Sequence, residues 1–474
     1  MKIRLGLGKL KMESVARYCS GELYDYTNEK DCAVSYVCTD SREADEETMF
    51  VATRGERVDG HDYIISAIER GCKCILCEYV PTAIAGKRVA FVTVENSIDA
   101  FALTAKGYRG EKSLKTVAIT GSVGKTTTKE LTASILGRAT NLYATSGNFN
   151  SVIGMPMSLM EAQSDRDTAV FEMGMSGFGE IHSMSMTATP DVAMVVNVGS
   201  SHLEYLKTRE NIARAKLEIA DGLKDGGYLL LNGDEPLLRK DFSDKKYTVL
   251  YLGIENKDAQ DAFAYNVQVD ESGTQFDLDF RGETYKSLKI KPVGRQFVYN
   301  AMFSAVASLL MGCDEQTVRE GLFGYTPGGI RQNIQKTNGI TLVADCYNAA
   351  PESMRGAIDT LCSIDISGKR IAVLGDMREL GEGSDEMHRD MGKYLVSKGI
   401  DVLLTLGESG KLIADGARDS GMNEENIFSE TDVENVDALF EELARRLTTG
   451  VGVLIKASRG VRLERVIERL FKEN

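Results

Sequence analysis

The segment TVAITGSVGKTTTKE at 116–130 carries the residues best suited to chemistry. Gly121 and Gly124 let the backbone turn so that its N–H groups can point at phosphate oxygens. Lys125 can reach β- and γ-phosphates, Thr126 can hold Mg²⁺, and Thr127 continues the turn. An apolar strand, Thr116–Thr120, precedes the loop, and a helix beginning at Lys125 adds its positive end. The usual eight-residue pattern wants glycine at position 119, where this chain has Ile119. The loop is therefore the shorter G-x-x-G-K-T, starting at Gly121. A tight turn with a surface lysine could use the same glycines. The strand before and the helix after favour phosphate binding, and with it an enzyme that uses ATP.

Three residues downstream could complete such a site. Glu172 closes the apolar run Ala169–Phe171, and a carboxylate at the end of a parallel strand stands where ligands bind in open α/β sheets. It suits Mg²⁺, which prefers oxygen donors. His202 follows the next strand, in NVGSSHLE at 197–204. Taken alone, it could equally be a satisfied polar residue at a strand end. Lys216 lies on the same helical face as Ile212, Ile219, Ala220 and Leu223, so it points inward. Such a lysine snorkels, pairs with a carboxylate, or is chemically modified. Spacing alone favours the first two.

These residues need elements to hold them. The chain has 474 residues, enough for about three domains. Its 56 Lys+Arg against 70 Asp+Glu give a net charge of -14, which argues against broad nucleic-acid binding. Nine cysteines form no framework of a small secreted chain. Cys72, Cys74 and Cys77 include one CxxC spacing, but no second pair or histidine accompanies them, and a buried strand is the better reading. No stretch approaches a membrane span or a signal peptide. A cytoplasmic, monomeric enzyme is expected.

The expected architecture is α/β in three domains. Residues 1–112 form a mixed α/β N-terminal domain, with strands at Cys72–Glu78 and Arg88–Val94 and helices at Asp62–Arg70 and Ser97–Tyr108. A linker is expected over Gly107–Lys115. Residues 113–327 form a central mononucleotide-binding α/β domain with further strands at Ala169–Met173 and Val192–Val198. Its helices are Lys125–Gly137, Arg209–Leu223 and Asn300–Met311, and an antiparallel flank is expected over Phe263–Lys291. A hinge at Pro327-Gly328-Gly329 leads into a Rossmann-like C-terminal domain, 328–474. Its strands are Ile340–Asp345, Arg370–Gly375, Asp401–Leu406 and Val451–Lys456, closing on a helix Val461–Lys472. It lacks GxGxxG, so no dinucleotide site is expected there.

In order, GSVGKTTTK, VFEMGM, NVGSSHLE and ARAKLEI resemble the Mur ligases, the amide-forming enzymes of bacterial peptidoglycan precursor synthesis. TDSR at 39–42, GERVDGHDY at 55–63, YNAMFSA at 299–305, DCYNAAP at 345–351, VLGDMRELG at 373–381 and KASRG at 456–460 extend the resemblance along nearly the whole chain. The last motifs resemble the branch that adds D-alanyl-D-alanine to UDP-N-acetylmuramoyl-tripeptide, and so serves cell-wall growth, shape and division.

The resemblance implies roles. Thr39, Asp40, Ser41 and Arg42 would grip the UDP-muramoyl part, and Asn148 and Asn150 would line the substrate side. Gly121, Ser122, Val123, Gly124, Lys125, Thr126 and Thr127 would hold ATP. Thr126, Glu172 and His202 would bind magnesium. Lys216 matches a lysine that the family carbamylates with CO₂, which would make it a ligand to a second magnesium. Asn300 would contact the base, and Arg331 the γ-phosphate. Asp345, Tyr347 and Asn348 would close over the nucleotide. The chain departs from the family pattern at Ala350 and Ser151, each usually Asn, and at Ser200, often acidic.

The implied reaction passes through an acyl phosphate, made from ATP with two magnesium ions and opened by the dipeptide amine. The nearest competing reading is a related ligase with another acceptor, such as the tripeptide-forming enzyme or a folylpolyglutamate synthase. No DNPR-like diaminopimelate-reading motif is present. A P-loop switch would leave the inward Lys216 and the TDSR motif unexplained.

Overall fold

The strand Lys115–Thr120 is buried on both faces, as its sequence VAI requires: Ala118 packs into one core and Val117 and Ile119 into another. It sits at the switch point of a nine-stranded sheet in this computed structural model. The strands Leu142–Ala144 and Thr168–Glu172 lie to one side of it, and Val192–Val195, Tyr228–Asn232 and Thr248–Gly253 to the other. All of these pair parallel, and so does the join to Ala262–Asp270. The sheet then turns antiparallel through Gly273–Phe280 and Glu283–Ile290, the flank expected from sequence. Successive connections leave Lys115–Thr120 in opposite directions. This opens a crevice at the carboxyl ends of the strands, where an α/β sheet binds ligands.

The structure describes residues 1–27, 32–55, 58–84, 87–110, 114–243, 245–328, 333–337 and 339–472. Arg331 and Gly329 lie outside the described residues. A six-stranded mixed sheet precedes the central one, with parallel strands Tyr36–Cys38, Thr48–Val51, Cys74–Cys77 and Ala90–Thr93 at its centre. A second six-stranded sheet follows it. There Ile340–Asp345, Gly452–Lys456, Arg370–Gly375, Val402–Leu406 and Ile427–Glu430 run parallel, with Asn333–Thr337 antiparallel at one edge.

The first sheet and the central unit share one apolar core, running from Ile3 and Phe101 through Met155 to Ile219. Gly6 marks one close approach between them. Its N–H donates to Met160 O at 2.8 Å, and a Cβ there would meet Ala162 O at 2.2 Å. The C-terminal sheet carries a core of its own on one face and, on the other, a core that Val293 of the central unit also enters.

Four expectations need correction. The stretch 107–115 is not a linker throughout, because the helix runs Ser97–Arg109 and the strand begins at Lys115. Tyr108 and Arg109 are buried there: the Tyr108 hydroxyl donates to Gly8 O, and the Arg109 guanidinium donates to Ala162 O. The helix expected over Arg209–Leu223 is α-helical only over Arg209–Leu217, then becomes a 3₁₀ turn, Glu218–Ala220. The Ser185 hydroxyl causes this by donating to Ile219 O at 2.5 Å and accepting from Gly222 N at 3.1 Å. The helix expected from Val461 begins at Glu464, after a 3₁₀ turn, Arg459–Val461. The strand expected over Val192–Val198 ends at Val195, and residues 196–202 cross the mouth of the crevice instead.

Cys74 and Cys77 occupy one strand but face different cores, as residues three apart in a strand must. Their CxxC spacing therefore cannot close on one ion.

Candidate active site

Gly124 caps the helix Lys125–Ala139 with φ 81, a left-handed conformation that glycine adopts without strain. A Cβ at this position would meet Asn300 Nδ2 at 2.4 Å. Asn300 is buried and its amide donates to Gly124 O at 3.2 Å and Thr128 Oγ1 at 2.9 Å. It thus braces the loop from the neighbouring helix Gln296–Leu310 and also lines the cavity.

Asn197, which sequence reading did not single out, holds the other side of the loop. Its Oδ1 accepts from Ser122 N and Val123 N, both at 2.9 Å, and its Nδ2 donates to Val123 O at 2.8 Å. Gly199 N donates to Ser122 Oγ. The local signals for Asn197 are its place two residues beyond a parallel strand and at the start of the motif NVGSSHLE. Lys125 curls back on its own loop, with Nζ 2.7 Å from Gly121 O. Those carbonyl contacts occupy the ammonium until a stronger acceptor, such as a phosphate oxygen, arrives.

Glu172 is 4% exposed at the end of its strand. Its Oε2 accepts from Thr126 Oγ1 at 2.9 Å and its Oε1 from Asn150 Nδ2 at 2.8 Å. The carboxylate, hydroxyl and amide make an oxygen-rich set of the kind a hard cation takes. His202 is left-handed at φ 68, and its Nδ1 lies 2.7 Å from Glu379 Oε2. That contact, opposed by burial, holds the Glu379 carboxyl below its ordinary range.

Lys216 is 1% exposed and packs beside Ile212 and Ile219, as its helical face requires. Burial pushes its amine well below the ordinary lysine range, and the like charge of Lys125 adds to the effect. The residue is therefore inward and close enough to the loop to feel its lysine.

The loop from Ser122 to Thr127, Asn150, Glu172, His202 and Asn300 line a cavity of about 620 Å³ shared by the central and the C-terminal units, whereas Lys216 and Glu379 are not among its lining residues. From the C-terminal side come Asp345, Tyr347, Asn348, Ala350, Glu352 and Lys456. Lys456 was not foreseen as a site residue. It stands opposite Asp345 in neighbouring parallel strands, and its buried Nζ lies 2.6 Å from Asp345 Oδ2 and 2.8 Å from Asn348 O. The signal for this pair lies in strand pairing, which single motifs do not display.

The three departures have local explanations. Ala350 leaves the cap of helix Pro351–Ser363 without a side-chain acceptor, and its own N–H donates to Ser353 Oγ at 3.0 Å. Ser151 Oγ accepts from Gly154 N and opens the next helix. Ser200 donates through both N and Oγ to Glu352 Oε1, so a carboxylate reaches this spot from the C-terminal unit.

Asn148 is exposed, and only Asn150 of that pair lines the cavity. Thr39, Asp40, Ser41 and Arg42 stand apart from the cavity in the first sheet's unit. Arg42 pairs with Asp40 at 2.6 Å, and that bonding holds the Asp40 carboxyl far below its usual range.

A phosphate loop beside a strand-end carboxylate, facing a second α/β unit across one cavity, defines an α/β enzyme built to activate a substrate with a nucleoside triphosphate. The family descriptions "Mur ligase family, catalytic domain", "Mur ligase middle domain" and "Mur ligase, glutamate ligase domain" match residues 33–109, 119–308 and 331–459. The chain belongs to the Mur ligase family. It is 34% identical over 466 residues to the UDP-N-acetylmuramoyl-tripeptide–D-alanyl-D-alanine ligase of Bacillus subtilis, covering 98% of this chain and 99% of that one. It is 31% identical over 450 residues to the enzyme of that name from Escherichia coli, covering 94% and 95%. The crystal structure of MurF from Acinetobacter baumannii superposes with a TM-score of 0.87 at 25% identity, covering 99% of this chain and 100% of that one. MurF ligase from Thermotoga maritima, solved in complex with ADP, gives 0.79 at 31% identity, covering 92% and 97%.

Proposed function

We propose that this chain is an ATP-dependent amide ligase that joins D-alanyl-D-alanine to UDP-N-acetylmuramoyl-tripeptide, giving ADP and phosphate. The observation that carries this reading is the single cavity shared by the phosphate loop, Glu172 and the C-terminal Asp345–Lys456 pair. The names of its relatives, matched along nearly their full length, supply the substrates. The enzyme works as a cytoplasmic monomer, with division into domains at 1–112, 113–327 and 328–474.

The tripeptide carboxylate attacks the γ-phosphorus of ATP. The bond to the β,γ-bridging oxygen breaks, ADP leaves, and an acyl phosphate remains. Lys125 exchanges Gly121 O for the phosphate oxygens, while the N–H groups of Ser122 and Val123 stay fixed by Asn197. The dipeptide amine then attacks the activated carbonyl, loses its proton, and expels phosphate from the tetrahedral intermediate. Thr126, Glu172 and His202 would hold magnesium, and Lys216 would join them as a carbamate. The donor set fits: Thr126 and Glu172 offer oxygen, and the buried Lys216 would become an anionic oxygen ligand on adding CO₂ through its unprotonated amine with release of a proton. When bound, two magnesium ions neutralise phosphate charge. Asn300, Asp345, Tyr347 and Asn348 position the nucleotide, with Arg331 on the γ-phosphate. Thr39, Asp40, Ser41, Arg42, Asn148 and Asn150 hold the UDP-muramoyl substrate.

The test is phosphate release with each substrate omitted in turn, using tripeptides ending in lysine and in diaminopimelate. Release is expected only when both a tripeptide and D-alanyl-D-alanine are present. Release indifferent to the dipeptide, or faster with a single amino acid, would overturn the assignment.

A further inference from the structure

The loop between strand Arg370–Gly375 and helix Ser384–Ser397 has no part in the reaction above, yet it is heavily tied down. His388, buried completely, holds both of its ends. The ring's Nε2 accepts from Met377 N at 2.9 Å, and its Nδ1 lies 2.7 Å from Ser384 O. Asp376 Oδ1 accepts from Gly410 N at 2.8 Å, and Arg378 N donates to Ser458 Oγ at 3.0 Å.

The constrained loop delivers Glu379 to the central unit. Glu379 O accepts from Glu204 N at 3.1 Å, and Oε2 lies 2.7 Å from the buried Nδ1 of His202, an ion-pair contact whose alignment is not that of a hydrogen bond. Both partners have left-handed backbones, Glu379 at φ 63 and His202 at φ 68. Non-glycine residues hold that conformation where the surroundings over-determine it, and such places cluster at functional sites. A histidine that binds a metal through one nitrogen commonly gives the other to a carboxylate, which fixes the ring's tautomer and orientation. Here the carboxylate comes from a different unit of the chain.

We propose that Glu379 is a positioning residue. It fixes the His202 ring from the Nδ1 side, leaves Nε2 as the ligating nitrogen, and so completes the metal site only when the C-terminal unit is docked. This rests on the reading of His202 as a metal ligand.

The probe is Mn²⁺, which accepts nitrogen more readily than Mg²⁺. Its binding to the full-length enzyme with ADP is read from the electron paramagnetic resonance of the free ion. Variants E379A, E379Q and H202A are compared with the parent, each with a thermal midpoint. Loss of an outer carboxylate typically weakens metal binding roughly 10- to 100-fold. E379A is expected to weaken Mn²⁺ binding by that factor, with E379Q intermediate. The midpoint is expected to hold, because the Glu379 side chain is 42% exposed. Weak binding by H202A with parent-like binding by E379A overturns the positioning role and leaves the metal reading standing. Parent-like binding by both overturns the metal reading, and this inference with it. A lowered midpoint with unchanged Mn²⁺ affinity assigns Glu379 a merely structural role and also overturns it.

Discussion

Lys216 gives the sharpest test at the scale of a single residue. Burial, with the like charge of Lys125, pushes the Lys216 amine well below the ordinary lysine range, toward the unprotonated form that adds CO₂. A carbon-13 carbamate resonance is expected from the enzyme in labelled bicarbonate, absent from K216R. Loss of that ligand removes charge stabilisation at the transferring phosphoryl group, so K216R is expected to lose about 10²- to 10³-fold in kcat. Asn197 tests the loop itself. N197A leaves the N–H of Val123 without its acceptor and that of Ser122 with only its longer bond to the main-chain oxygen of residue 197 at 3.3 Å, a penalty of about 1–3 kcal/mol. Calorimetric titration with ADP is expected to show affinity lower by roughly 5- to 150-fold at that penalty. Unchanged affinity would mean that water replaces the amide without cost.

At the scale of elements, His388 links a loop to pH. Burial holds its pKa below the ordinary value, with the bond to Ser384 opposing. A histidine with a depressed folded pKa contributes stability above its unfolded pKa, about 6.5. That contribution is lost as pH falls through the folded value, because only the unfolded chain accepts the proton readily. Urea unfolding of H388Q is therefore expected to depend less on pH between about 7 and 5 than that of the parent. A parallel slope would refute it. The strand pair Asp345–Lys456 tests a buried charge. K456M strands the Asp345 carboxylate, which typically costs about 3–5 kcal/mol. The double variant D345N/K456M is expected to recover much of that loss in the same unfolding experiment.

For the whole molecule, the division of cores matters more than the division of sheets. The N-terminal sheet and the central unit share one extensive apolar cluster, whereas the C-terminal sheet has one cluster of its own and a second that only Val293 of the central unit enters as a buried residue. Scanning calorimetry is expected to resolve two transitions: residues before the C-terminal unit melting together, and the C-terminal unit melting separately. A fragment of residues 113–474 would expose the apolar surface that meets Phe101, Ala105 and Tyr108, and is expected to aggregate on expression. Three well-separated transitions, or a soluble fragment, would count against the shared core.

The sequence by itself determined what neighbours along the chain can decide. Glycine spacing and the apolar strand fixed the phosphate loop, helical periodicity turned Lys216 inward, and the strand end placed Glu172. The order of motifs carried the family. Tertiary structure decided what depends on partners distant in sequence. Asn197 grips a loop 74 residues earlier, Lys456 pairs with Asp345 111 residues away, and Glu379 crosses units to meet His202. It also ended the helix at Leu217, where a hydroxyl from Ser185 takes over two backbone groups. Local propensity is written in adjacent residues. A hydrogen bond or ion pair between strands exists only once the sheet has set their register.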